Sequence, residues 1–103
     1  MNTYTVRLLA FGEQNAVRQV TLPVKSVNDP ARNNPHLLAE EIYHFGQNFA
    51  QSQKCRSVSV GDVIECSSKY FLVKPIGMAE ISLEQLTKYE QVDMKGRTDI
   101  AWQ

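Results

Sequence analysis

The sequence is short of cysteine, of net charge and of long apolar runs. Its only cysteines, Cys55 and Cys66, lie eleven positions apart without a Cys-x-x-Cys element, so a zinc site would need ligands from elsewhere. No apolar stretch approaches the roughly 20 residues that a membrane-spanning helix requires. At the amino terminus, apolar and polar residues alternate as in a strand, instead of forming the apolar run of a secretion signal. We therefore predict a cytoplasmic protein with reduced thiols and no membrane partner.

The net charge and the positions of the glycines argue against two further classes of protein, nucleic-acid binders and nucleotide-binding proteins. Eleven basic residues balance eleven acidic ones, so the chain lacks the net positive field that gives most nucleic-acid binders their affinity. A net charge near zero also opposes self-association only weakly, which is compatible with a homodimer. The glycines are scattered too widely to form a phosphate-cradling loop, so we predict no nucleotide and no other cofactor.

What the sequence does contain is an ordinary globular composition. The chain has 103 residues, 43% of them apolar and 21% charged, which indicates one domain over residues 1–103 and argues against a disordered regulator. Alternating apolar residues predict strands at about 3–11 and 16–24, joined as a hairpin. Residues 25–34 are rich in turn formers and are predicted to be a loop.

The main helix is predicted to begin after Asn34 and to run to about Ser52. Asn34 can cap free N–H groups, and Pro35 tolerates the first helical position. An apolar stripe at helical spacing should pack on the sheet; its members are Leu38, Ile42, Phe45 and Phe49. Gly46 inside this helix suggests a close packing contact or a local bend.

A second hairpin is predicted in the following segment. Gly61-Asp62 is a turn signal, and a short polar link at 67–69 separates two β-rich runs. Pro75 cannot donate to a strand ladder, so it should end the second run or lie at an edge. Residues 78–81 are then predicted to return to the sheet.

The carboxyl-terminal part is predicted to hold one short helix. Ser82 and Gln85 match a capping box for a helix over about 83–91. Residues 92–103 form a mostly polar tail, which either docks through Trp102 or frays. The predicted fold is α+β in the order ββαββα: an antiparallel sheet of two hairpins with one main helix packed on it and a short C-terminal helix.

Three residues at helical spacing raise the question of a metal site. His36, Glu40 and His44 recur every four positions, so neighbouring pairs could share a metal ion. The alternative is a solvated helix face opposite the apolar stripe, with Glu40 pairing with His44. The residues lack the His-Glu-x-x-His arrangement of metalloproteases, and we favour the solvated face with no metal.

Two groups of residues fit either a catalytic or a structural role. Cys55 or Cys66 activated by His44 would make a small enzyme, but a cysteine is more often a small apolar residue. Asp62 and Glu65 would form an acid/base pair, but Asp after Gly at a strand entrance is typical of a turn. We predict no catalytic residue.

A basic and aromatic segment raises nucleic-acid binding as an alternative function. Lys69, Tyr70 and Phe71 resemble a strand face on which bases stack. Because both faces of this strand carry apolar residues, the pattern favours a central position in the core instead. The nucleic-acid alternative requires a set of basic residues to gather on one surface: Arg56, Lys69, Lys74, Lys95 and Arg97.

A motif spans roughly residues 56–82. It reads Arg-Ser-Val-Ser-Val-Gly-Asp-Val-Ile from Arg56, then an aromatic-bearing strand at 70–73, then Gly77-Met78. This arrangement resembles the core of the YodL-like group, small domains of bacterial, phage and plasmid proteins, although Met78 stands where that group has an aromatic residue. The resemblance implies a mobile-element setting, in which small proteins bind host, replication or defence components, and it carries over no catalytic residue.

The favoured prediction is a noncatalytic protein-binding or regulatory protein of a phage, plasmid or related element. Its partner is predicted to be another protein. Tyr43 and Trp102 are the candidate partner-binding residues, because protein interfaces are enriched in aromatic side chains.

Overall fold

A five-stranded antiparallel sheet organises the fold in the computed structural model, which describes residues 2–10, 17–22, 33–47 and 58–102. The strands are β1 (Asn2–Arg7), β2 (Val17–Leu22), β3 (Val63–Cys66), β4 (Lys69–Val73) and β5 (Met78–Ile81). The helices are α1 (Pro35–Phe45), α2 (Leu83–Gln91) and α3 (Met94–Ala101). The predicted α+β class is confirmed, and β5 and α3 are additions to the predicted order ββαββα.

The two predicted hairpins join through their first strands. The strand order is β2-β1-β3-β4-β5, so β1 pairs with β2 on one side and with β3 on the other. β5 returns to pair with β4, as residues 78–81 were predicted to do, and β4 ends before Pro75. Residues 11–16 and 23–32, which include the predicted loop, lie outside the described residues.

The start of α1 follows from its capping residues. The Asn34 side chain accepts hydrogen bonds from the backbone N–H groups of His36, at 3.1 Å, and Leu37, at 3.3 Å. Pro35 occupies the first helical position, where its missing N–H removes no helical hydrogen bond. This start is confirmed.

The end of α1 differs from the prediction, because the helix stops at Phe45 instead of about Ser52. A longer helix would need the carbonyl of Gly46, but the N–H of Val58 bonds that carbonyl at 3.1 Å and the Arg18 guanidinium also donates to it. Two groups distant in sequence therefore replace the next helical turn. Phe49 and Ser52 lie outside the described residues.

The helices cover both faces of the sheet. α1 packs on one face in a cluster that includes Ile42, Ile64 and Phe71, each at most 1% exposed. α2 and α3 pack on the opposite face through a cluster that includes Leu72, Leu86 and Ala101. The alternation of Phe71 and Leu72 between the two clusters confirms that β4 lies in the core.

The carboxyl-terminal helices follow from local caps. Ser82 and Gln85 form the predicted capping box, with Gln85 N–H donating to Ser82 Oγ at 3.1 Å and Ser82 N–H donating to Gln85 Oε1 at 2.8 Å. The tail neither frays nor docks through its tryptophan: it forms α3, which buries Ala101 and leaves Trp102 60% exposed. No helix in the described ranges is long and apolar enough to span a membrane.

Candidate functional site

A cleft of about 450 Å³ opens at the end of the sheet where β1 and β4 finish and β3 begins. Five segments of the described chain form it: Ala10 after β1, the end of α1 with Gln47, the 58–61 loop before β3, Tyr89 of α2, and one face of α3 with Trp102. The residues lining it are Ala10, Tyr43, Gln47, Val58, Ser59, Val60, Gly61, Tyr89, Arg97, Thr98, Ala101 and Trp102. Because these segments are far apart in sequence, the cleft exists only in the folded chain.

The 58–61 loop is held in place from both sides of the sheet. Gly61 N–H donates to Val73 O at 2.9 Å, which fixes the loop to the end of β4. Val60 packs against both core clusters, on the α1 face and on the α2/α3 face. Gly61 has a φ of 99°, a left-handed conformation that glycine adopts most readily. The cleft wall is therefore part of the folded framework.

Asp62 fixes the backbone beside this loop. It is fully buried, and its carboxylate accepts hydrogen bonds from Ala10 N–H at 3.0 Å and from Ser59 N–H at 2.9 Å. These contacts confirm the interpretation of Asp62 as a turn residue. Glu65 instead pairs with Arg7, with its Oε2 3.3 Å from Arg7 Nε, so the structure does not assemble an Asp62–Glu65 acid/base pair.

Tyr89 forms part of the cleft from α2. Its hydroxyl donates to the carbonyl of Gly61 at 2.5 Å. Burial raises the pKa of Tyr89 to about 12, against a lowering by the positive charge of Arg97 and with a further rise from Asp62. The phenol therefore stays protonated at neutral pH and acts as a hydrogen-bond donor.

Among the described residues that line the cleft, Arg97 is the one with a charged side chain. It is 9% exposed, and its Nη1 donates to Leu9 O at 3.1 Å while its Nη2 donates to Glu90 O at 2.7 Å. Leu9 follows β1 and Glu90 lies in the last turn of α2. The guanidinium thus ties α3 to two neighbouring parts of the fold and places a positive charge at the cleft.

The structure brings together the two aromatic residues that the sequence indicated for partner binding. Tyr43 and Trp102 line the same cleft, from α1 and from the end of α3. Tyr43 also lines a neighbouring cleft of about 240 Å³, together with Val60, Lys74 and Met78. Tyr43 and Val60 therefore lie between two adjoining depressions of one surface.

The basic residues of the nucleic-acid alternative occupy different environments. Lys69, at the first residue of β4, pairs with Glu80 at 3.2 Å, whereas the cleft with Arg97 lies at the other end of that strand. Lys74 borders the neighbouring cleft, and Lys95 is exposed on α3. Arg56 lies outside the described residues.

The candidate metal ligands and Cys66 lie on the α1 side of the molecule. His36 Nε2 lies 3.5 Å from Glu40 Oε1, so Glu40 pairs with His36 and not with His44 as predicted. Among the described residues, no group of three or more His, Cys, Asp or Glu side chains is placed to hold a metal ion.

Cys66 has the properties of a core residue. It is 5% exposed, its Sγ lies 3.6 Å from the carbonyl oxygen of Pro35, and burial raises its pKa to about 11. A thiol with a raised pKa is a poor nucleophile at neutral pH, because little of it is ionised. Cys55 lies outside the described residues.

Sequence reasoning missed Arg97 and Tyr89 as members of the site. Arg97 was assigned to a basic surface because a charged residue in a polar tail is normally solvated. Tyr89 follows Leu86 by three positions in α2, and this helical spacing of two apolar residues could have indicated that both face the core. Nothing local indicates that Gly61 is its partner.

Comparisons with protein-family models, curated proteins and solved structures found no match. The resemblance of residues 56–82 to the YodL-like group stays a prediction.

Proposed function

We propose that this chain is a noncatalytic protein-binding or regulatory protein, which holds a segment of its partner in the cleft between Tyr43 and Trp102. The observation that carries the proposal is the composition of the cleft. Tryptophan, tyrosine and arginine are the residue types that contribute most often to the energetic centres of protein interfaces, and Trp102, Tyr43 and Arg97 all line this one depression.

Exposure of Trp102 supports a macromolecular partner. The side chain is 60% exposed at the end of α3, while Ala101 beside it is 1% exposed. The indole therefore stands at the rim, where it can contact a partner that extends beyond the cleft. Desolvation of an exposed indole on binding is strongly favourable because of its large apolar area.

The biological setting of the proposal rests on the resemblance of residues 56–82 to the YodL-like group. It implies a cytoplasmic protein of a phage, plasmid or other mobile element whose partner is a host, replication or defence component. The scattered positions of Lys69, Lys95 and Arg97 give the nucleic-acid alternative less support than the cleft gives to protein binding.

The test is a pull-down from bacterial lysate, with and without nuclease treatment, using three forms of the tagged protein: wild type, Trp102→Ala and Leu83→Ala. Leu83 is a matched control, because it is also 60% exposed but lies on α2 and does not line the cleft. We expect the wild type and Leu83→Ala to retain the same protein and Trp102→Ala to lose it.

Two results would contradict the proposal. Retention of the same partner by Trp102→Ala would place binding elsewhere, and loss of the captured protein on nuclease treatment would favour the nucleic-acid alternative. Circular dichroism of each variant checks that the fold is intact.

A further inference from the structure

The charge of Arg97 is paired only with neutral groups. Both of its hydrogen-bond acceptors are backbone carbonyls, those of Leu9 and Glu90. No carboxylate of the described residues lies within ion-pair distance of it. Asp62, the buried carboxylate nearby in the fold, bonds backbone N–H groups of Ala10 and Ser59.

The Arg97 guanidinium also has donors to spare. It carries more N–H groups than its two carbonyl partners can use. Nε is buried and has no hydrogen-bond partner among the described residues, and each Nη retains a second N–H beyond the one it donates. A buried cation with unused donors is unfavourable until an acceptor, preferably an anionic one, completes it.

The other described residues that line the cleft with Arg97 are uncharged. Val58, Val60 and Ala101 supply apolar surface, and Tyr43 and Trp102 add aromatic rings. A carboxylate entering this environment meets the positive charge of Arg97 and no negative charge from the described lining residues, and the low local dielectric strengthens the attraction. Charge complementarity therefore selects an acidic ligand.

We propose that the occupant of the cleft is a linear peptide segment that directs an acidic side chain to Arg97 and an adjacent apolar side chain against Trp102 and Tyr43. The carboxylate accepts the unused N–H groups of the two Nη atoms, while Leu9 and Glu90 keep theirs. This inference rests on the proposed function, since it specifies the chemistry of the partner segment in the same cleft.

The experiment is a selection of random displayed peptides on immobilised wild-type protein, with Trp102→Ala protein used to remove peptides that bind elsewhere. The displayed peptides are fused to their carrier at the carboxyl end, so the only carboxylates they can offer to Arg97 are those of acidic side chains. We expect the recovered sequences to share one Asp or Glu next to an apolar residue. Trp102 is the only tryptophan of the chain, so synthetic copies of the recovered peptides can be titrated by its fluorescence.

The deciding measurement changes the peptide and not the protein, because a substitution of Arg97 would also remove its hydrogen bonds to Leu9 and Glu90. Replacing the shared acidic residue of a recovered peptide by its amide, Glu→Gln or Asp→Asn, keeps its shape and removes its charge. We expect the Kd to rise about tenfold or more, as for loss of a hydrogen bond to a charged group. Added salt should weaken the acidic peptide more than its amide form.

The outcomes separate this inference from the proposed function. Peptides that depend on Trp102 but share no acidic residue, or that bind equally well as amides, would overturn the inference and leave protein binding at the cleft intact. Recovery of no Trp102-dependent peptide would overturn both.

Discussion

The two faces of the sheet are buried by different means. Within the described residues, the cluster under α1 joins twelve buried residues, and the cluster under α2 and α3 joins six. The larger cluster is aliphatic apart from Phe71 and Cys66, whereas the smaller one includes Tyr89, whose hydroxyl bonds Gly61. Stability is therefore expected to come mainly from the α1 face, while the α2/α3 face contributes Tyr89 and Arg97 to the cleft.

Within the described part of the chain, each face also has one buried arginine, and the pair shows how the same residue type serves two purposes. Arg18 donates to the carbonyl of Gly46 beyond the end of α1, and Arg97 donates to the carbonyl of Glu90 near the end of α2. Cations near the carboxyl end of a helix are stabilised by its dipole. Only Arg97 lines the cleft as well, so its charge is available to a ligand.

The largest expected effect is Phe71→Ala on the α1 face. Phe71 is 1% exposed at the centre of the larger cluster, and its truncation should lower the free energy of unfolding by about 3–5 kcal/mol through lost burial and a cavity. Leu86→Ala, in the smaller cluster, should lower it by about 2–3 kcal/mol, because neighbours beside an open cleft can relax. Urea denaturation of both variants measures the difference; an equal or reversed ranking would contradict the comparison of the two faces.

The next effect concerns the junction between α1 and the cleft. A Cβ at Gly46 would overlap the side chain of Val58, which is 1% exposed and cannot move away freely. Gly46→Ala should therefore reduce stability by about 1–3 kcal/mol through overpacking. Thermal or urea unfolding measures this loss.

Truncating Val58 tests the cause. Because Val58→Ala removes the Cγ2 methyl that the new Cβ would meet most closely, the double variant should be more stable than the sum of the two single changes predicts. Additive costs would show that Gly46 is required for another reason.

The same junction shows which features a sequence can reveal. The starts of α1 and α2 were predictable, because Asn34 and Ser82 bond N–H groups only two or three residues away. The end of α1 was not, since Val58 and Arg18 determine it from distant positions. Hydrogen bonds between residues close in sequence can be predicted from the sequence. A helix end that depends on hydrogen bonds from distant residues cannot.

The candidate site likewise has features that the sequence can predict and features that depend on tertiary structure. Tyr43 and Trp102 were predicted from residue type alone. Their meeting in one cleft requires α3, which the polar composition of residues 92–103 did not indicate. Burial of Arg97 was missed for the same reason, because its partners Leu9 and Glu90 belong to other elements.

A smaller effect is expected at the capping box of α2, on the face with the smaller cluster. Ser82→Ala removes the acceptor of the Gln85 N–H and should reduce stability by about 1 kcal/mol. Thr87→Ala is the control on the same helix, because its exposed hydroxyl bonds only the carbonyl of Leu83 and contributes little. Chemical denaturation compares the two; equal stabilities of the two variants would show that the cap contributes nothing to α2.

The last difference between the faces concerns how the stability of the protein depends on pH, and it appears only at alkaline pH. Burial raises the pKa of Cys66 under α1 from 9.0 to about 11, and burial raises that of Tyr89 under α2 from 10.0 to about 12. In each case the folded protein holds the proton more tightly than the unfolded chain. The stabilisation is therefore complete below the unfolded value and is lost as pH rises through the folded one.

Single variants should divide this alkaline loss by face. Cys66→Ala should flatten the dependence of unfolding free energy on pH between about 9 and 11, and Tyr89→Phe should flatten it between about 10 and 12. The slope is the quantity to compare, because both changes also alter packing at every pH. Denaturation curves collected at a series of alkaline pH values measure it. An unchanged slope in Cys66→Ala would mean that the thiol is already accessible to water in the folded protein, and the α1 face would then be less tightly sealed than its burial indicates.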